Sequence, residues 1–218
     1  MATITDYDSL VSAATEYLAR DQDTTLIARI PTFIQLFEAK INRVLLHPKM
    51  EVRSTTAVDT GNSEPEFITL PSDFQTMRRI RLSGVTGKPR LQFMSQTQLE
   101  DYRYSIENVT DQPVYFSIVG DELELAPTPN EDYTLEMVYR ANIPALTSSN
   151  TTNWLLTLAP DLYLYGTLLE SAPYLKEDER IAVWAAGVQT TIDQLNTHGD
   201  RQTSNSGPTS ISLPGVVV

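Results

Sequence analysis

The chain has no cysteine. That excludes disulfide bridges, thiolate nucleophiles and cysteine-bound zinc. Histidine is almost as scarce. His47 and His198 are the two present, each at the end of a predicted helix and without a carboxylate at metal-ligand spacing. An imidazole at a helix end suits the local dipole and needs no metal to explain it. There is no G-x-S-x-G nucleophile elbow, although residue order alone does not exclude a dispersed Ser-His-Asp set. No apolar run approaches the ~20 residues that a membrane span requires. The first residues lack the basic stretch and apolar run of a secretory signal, so synthesis in a cytoplasm without membrane insertion is expected. The sequons at Asn108 and Asn150 carry no meaning without secretion. Basic residues are also few, 16 against 28 acidic ones, for a net charge of -12. Such a chain is repelled by phosphate backbones and anionic lipid.

What is present is an ordinary apolar fraction, 41 % of 218 residues, enough to build a core without metal or cofactor. Tyr7, Leu10, Val11, Ala14, Tyr17 and Leu18 recur at helical steps, with Thr5 or Asp6 able to cap them. A second stripe, Ile27, Ile30, Ile34, Phe37, Ile41 and Leu45, runs through about 26–46. Pro31 inside it either kinks a helix or starts its main part, and His47-Pro48 ends it. The chain then changes period. Segments 51–58, 66–70, 74–82, 90–94, 113–119, 122–125 and 133–141 alternate and are rich in β-branched residues. Clusters of Gly, Pro, Asn and Asp separate them, and Val119-Gly120-Asp121-Glu122 reads as a hairpin tip. A short helix over about 97–104 interrupts the strands. Helical patterning returns with Leu155, Leu158, Leu162, Tyr165 and Leu169, is broken at Pro173, and resumes with Ile181, Trp184, Val188, Ile192 and Leu195. These two stretches predict an αα-hairpin.

The expected fold is α+β. Its helical domain is built from both chain ends (1–50 and 146–198), with an inserted, mostly antiparallel β-module (51–145) and a flexible tail (199–218). The tail is polar at first and ends on Ile211, Leu213, Val216, Val217 and Val218. It reads equally as a frayed end or as a strand that adds to a partner's sheet edge.

Candidate chemistry is thin. Gly84-Val85-Thr86-Gly87-Lys88 lacks the glycine spacing of a phosphate loop, and proline follows its lysine, so it reads as a turn. The acidic runs Asp121/Glu122/Glu124 and Glu177/Asp178/Glu179 match no ion loop. They read as a solvated loop and a helix N-terminus, and a glycosidase pair is the alternative. Arg78, Arg79 and Arg81, with Lys88 and Arg90, form the one basic concentration. They either pair with the acidic excess or contact a subunit or DNA. Trp154 and Trp184 are candidate core or interface anchors.

Two stretches carry a resemblance. Asn153-Trp154-Leu155 leads into Ala159-Pro160-Asp161-Leu162-Tyr163-Leu164-Tyr165-Gly166-Thr167-Leu168-Leu169-Glu170, and then into Ala172-Pro173-Tyr174-Leu175-Lys176. Near the start stands Ala28-Arg29-Ile30-Pro31-Thr32-Phe33-Ile34, followed by Glu38-Ala39-Lys40-Ile41-Asn42-Arg43. Together with the order of helices, β-module, helical hairpin and tail, these resemble the head-to-tail adaptor, or head-completion, proteins of tailed bacteriophages, of the podovirus tail-adaptor type. The resemblance implies a non-enzymatic virion subunit at the head-tail junction, with no cofactor. It implies a homo-oligomeric ring, typically of twelve, seated under the portal protein and offering a platform to a tail or nozzle protein. DNA would pass through the lumen without specific binding. Trp154, Trp184, Ile211, Leu213, Val216, Val217 and Val218 are then the expected portal or subunit contacts. The competing readings are another virion tail component, and a carbohydrate-binding or hydrolytic protein that uses the acidic loops.

Overall fold

The computed structural model describes residues 3–87, 89–175 and 179–203. In chain order the elements are helices α1 (Tyr7–Tyr17), α2 (Thr24–Ile27) and α3 (Ile30–Val44); strands β1 (Glu51–Val58), β2 (Phe67–Thr69), β3 (Phe74–Ser83) and β4 (Gln92–Phe93); and helix α4 (Gln96–Ser105). Strands β5 (Thr110–Asp111), β6 (Tyr115–Val119), β7 (Glu122–Ala126), β8 (Thr128–Pro129) and β9 (Tyr133–Ala141) follow, then helices α5 (Trp154–Leu158), α6 (Pro160–Leu175) and α7 (Ile181–Thr203). The architecture is α+β. One compact unit takes both chain ends, up to Lys49 and from Ala145 onward; the other is Met50–Pro144.

In the helical unit, Asp6 caps α1 through a capping box. Its carboxylate accepts the Ser9 N–H at 2.8 Å, and Ser9 Oγ accepts the Asp6 N–H at 2.9 Å. The long apolar stripe predicted over 26–46 is divided. Asp23 caps α2, and α3 begins afresh with Pro31 in its first turn, where a missing N–H costs nothing. Helix α3 buries Ile30, Ile34, Phe37 and Ile41. It meets α6 at Gly166, where a Cβ would lie 2.2 Å from the Phe37 ring. Only glycine permits that approach.

A polar network crosses this packing. Glu38, 6 % exposed, accepts the Leu146 N–H at 2.9 Å and the Tyr163 O–H at 3.0 Å, both on Oε1. Asn153 donates to Tyr163 Oη at 2.6 Å and caps α5 by accepting the Leu156 N–H. Burial pushes the Glu38 carboxyl above its ordinary range, against the two hydrogen bonds that lower it.

Two sequence expectations are corrected here. Pro173 does not end α6, which continues to Leu175. Proline removes one helical hydrogen bond, and so near the terminus the last turn survives it. Helix α7 does not stop before Gly199 but runs on to Thr203. A Cβ at Gly199 would meet Pro48 Cδ at 2.7 Å, so this glycine serves close packing and not a helix end. The remainder of the predicted tail, including Ile211, Leu213, Val216, Val217 and Val218, lies outside the described residues.

In the second unit, β1, β9 and β3 form an antiparallel sheet in that order, and β2, β7, β6 and β4 form another. Strands β6 and β7 are joined by the expected hairpin, with Gly120 at φ +61°. Short β4 and β5 pair parallel to β6 and β8. The two sheets share one apolar core. Ile80, Leu82, Leu135 and Met137 come from the first, and Ile68, Phe116, Leu123 and Leu125 from the second.

Two outcomes follow for the helical unit. Trp184 is buried at 6 % exposure, so Trp184→Ala is expected to cost ~3–5 kcal/mol in denaturant unfolding. A loss within error would contradict its role in packing. Glu38→Gln keeps the acceptor oxygen but cannot ionise. A raised folded-state carboxyl contributes stability below the ordinary carboxylate range and loses it as pH rises through the raised value. The variant's melting temperature should therefore gain on wild type as pH rises above the ordinary carboxylate value of 4.5. A gap independent of pH would refute the inference.

Candidate functional site

Strict alternation along β3 places Arg79 and Arg81 on one face and Ile80 and Leu82 on the other. It would send Arg78 inward with Ile80. The structure avoids this with a register shift between Met77 and Arg79, opposite Tyr139 and Val138 of β9. The extra residue of a bulge re-aims its side chain. Arg78 Nε thereby reaches Glu51 of β1 at 3.2 Å.

The outer face of the β1-β9-β3 sheet is therefore rich in guanidinium. Arg53 stands on β1, Arg140 on β9, and Arg78, Arg79 and Arg81 on β3. Arg90 is bridged antiparallel to Arg81 and so shares its side. At the centre stands Glu136 of β9, 2 % exposed. It pairs with Arg53 at 2.7 Å, Arg79 at 4.0 Å and Arg81 at 2.5 Å. The hydrogen bond from Arg53 and the close Arg81 guanidinium hold its carboxyl down to about 2, against the desolvation that raises it. One buried anion thus fixes two cations from the flanking strands and lies within 4.0 Å of a third, Arg79. The guanidiniums remain reachable from solvent, with Arg53 66 %, Arg78 57 % and Arg79 41 % exposed at the side chain.

Sequence reasoning found Arg78, Arg79, Arg81 and Arg90 because they are close in the chain. It missed Arg53, Arg140 and Glu136, which join them only through strand register. Lys88, grouped with them from the sequence, lies outside the described residues.

The aromatic candidates separate. Trp184 is buried in the packing of α7. Trp154 is half-buried, with its ring stacked on His47 at 5.4 Å and Lys49 Nζ 6.0 Å above it. His47 also stacks on His198 at 6.1 Å. Two histidines 151 positions apart in the chain thus share one aromatic column. Burial, then His198 and Lys49, push His47 below its ordinary value, which favours the neutral ring. Its Nδ1 accepts the Lys49 N–H at 3.2 Å. Among the described residues no three His, Asp or Glu side chains are placed to hold a metal ion, and no helix is long and apolar enough to cross a membrane. An open cleft of ≈ 710 Å³ on the helical unit gathers Asp161, Asp193, His198 and Arg201. The shifted carboxyls Glu38 and Glu136 lie elsewhere, each accounted for by its own partners.

A family model described as SU10 adaptor protein matches residues 5–212. No curated protein matches the chain.

The Glu136 geometry carries a sign that can be measured. A depressed carboxyl contributes stability above the ordinary carboxylate value, and that contribution is lost as pH falls toward the folded-state value of about 2. Glu136→Gln should unfold more easily than wild type at neutral pH. The gap should close as pH is lowered through the range from the ordinary value of 4.5 to about 2. A gap that persists unchanged in acid would remove the ion-pair explanation.

Proposed function

The chain belongs to the SU10 adaptor protein family, and from that premise we propose that it joins a capsid portal to a tail as one subunit of a connector ring. At the coarser level it is a structural adaptor of a phage and a component of the virion. The observation that carries the proposal is the extent of the match, residues 5–212 of 218, which takes in both compact units.

In this reading the protein works without catalysis, by surfaces shaped for neighbours. Its partners are the portal protein on one side and a tail or nozzle protein on the other. Copies form a ring, with twelve the number the resemblance implies, at the head-tail junction. The ring continues the channel through which DNA leaves. A net charge of -12 per subunit supports a passage that does not hold nucleic acid tightly. Trp154, presented half-buried beside His47 and Lys49, is a candidate contact. The apolar chain end, Ile211 to Val218, is the segment best suited to docking on the portal. Its residues suit an added strand at a partner's sheet edge.

A reconstruction of the assembled particle tests the position directly, with this chain expected between portal and tail. The docking segment has its own test. Truncation after Thr203 keeps all of α7 and should weaken capture of the purified portal by about tenfold or more, equivalent to ~1.4 kcal/mol. Unchanged capture by the truncated chain would eliminate the chain end as the docking element.

A further inference from the structure

The charges of the Met50–Pro144 unit are sorted by side. The segment holds eight basic and fifteen acidic residues. Six of the eight bases, Arg53, Arg78, Arg79, Arg81, Arg90 and Arg140, stand on the outer face of the β1-β9-β3 sheet, with Glu51 and Glu136 among them. The other thirteen carboxylates share only Lys88 and Arg103.

The second sheet shows the inverse arrangement. Phe116 and Ile118 point into the shared core, so Tyr115 and Ser117 point away from it. Helix α4 covers that outer side, where Tyr102 meets Tyr115 edge-on at 4.8 Å. Arg103 of α4 stands there among carboxylates. It reaches Glu66 at 3.5 Å and Glu124 at 3.4 Å and donates to the Leu125 carbonyl. Glu100 and Glu66 both act on Glu124 to raise it, alongside burial and against Arg103. Glu100 and Asp101 are exposed on the same helix. One face is thus guanidinium around a single buried carboxylate, and the other is carboxylate around a single guanidinium. Because the two sheets share one core, these faces look away from each other.

We propose that the arginine face of one copy docks on the acidic α4 face of a second copy, head to tail. The inference names the contact surfaces of the ring proposed above and rests on that reading only for ring closure. Two unlike surfaces give a heterologous contact, which closes into a ring when the rotation per subunit divides a full turn. Charge complementarity chooses the occupant. A nucleic-acid binder carries a basic domain, whereas this unit is acidic outside one face and a second copy offers the matching sign. The six bases are all arginine, whose planar fork pairs carboxylates in two places at once and loses hydration more readily than lysine. Glu136 already holds Arg53 and Arg81 in position, which lowers the ordering cost of contact.

The test uses the full chain in sedimentation velocity, over rising concentration at low and high salt. Wild type should associate at low salt and come apart at high salt. Arg79→Glu with Arg90→Glu reverses one face, and Glu100→Arg with Asp101→Arg reverses the other on an exposed helix surface. Each double variant alone should associate about tenfold or more weakly. Mixing the two should restore association, because each supplies the face the other lost. The proposal is overturned if wild type stays monomeric at every concentration, if both variants associate like wild type, or if the mixture does no better than its parts. A fluorescent DNA duplex forms a further arm, and binding that is lost on reversing the arginine face would make nucleic acid the occupant instead. Portal capture separates the two readings. Variants that capture portal with wild type monomeric sink this contact alone, whereas a wild type that associates but captures no portal counts against the adaptor reading alone.

Discussion

Five guanidiniums on one face of a three-stranded sheet repel each other unless something between them is negative, and Glu136 supplies that charge from the central strand. Its position is dictated by register: β9 lies between β1 and β3, so a carboxylate there is opposite Thr55 on one side and Arg81 on the other. Arg53 and Arg81 close on it from both flanks. A buried ion pair adds little when compared with an apolar replacement, but removing one partner leaves the other stranded. The arrangement therefore couples Arg53 and Arg81 through one carboxylate. The helical unit also centres on a buried glutamate and treats it in the opposite way. Among the described residues Glu38 receives neutral donors, the Leu146 N–H and the Tyr163 hydroxyl. One unit holds its carboxylate ionised with cations, while the other moves its carboxyl toward the protonated form by desolvation.

The elements were largely legible because their signals are local. Alternation places β1 at 51–58 and β9 at 133–141, and both strands keep those bounds in the structure. The 3.6-residue stripes find α1, α3 and α7, and Gly120 marks the β6–β7 turn. What was not legible depends on contacts between distant residues. Nothing near Arg78 in the chain announces the bulge that turns it outward. Glu38 looks like any surface glutamate on a helix until α6 brings Tyr163 to it. Gly199 reads as a helix end by composition, yet it is a point of close approach to Pro48. His47 and His198 look unrelated until α7 lays one beside the other.

The candidate surface was half visible for the same reason. Four of its six arginines lie within 78–90 and could be grouped by eye. Arg53 and Arg140 depend on which residue faces which across two strand pairs, and alternation does not give register. Of the acidic counterpart around α4, only Glu124 was singled out, as part of the run Asp121/Glu122/Glu124. The counterpart's members are dispersed through the chain: Glu66 and Glu124 are gathered by Arg103, and Glu100 stands near Glu124. An acidic composition thus conceals a polarised module.

The β-unit is one unbroken stretch of chain, but the helical unit is not. On a translating ribosome the strands are complete before α6 exists. Helix α3 emerges before Phe37 can meet Tyr163 and Gly166 of α6, and Glu38 waits for a hydroxyl 125 residues downstream. At roughly 5–20 residues per second, that wait is on the order of ten seconds. Through it the α3 surface that packs on α6 lacks that partner. The inserted module thus sets how long the two halves of the helical unit stay apart during synthesis.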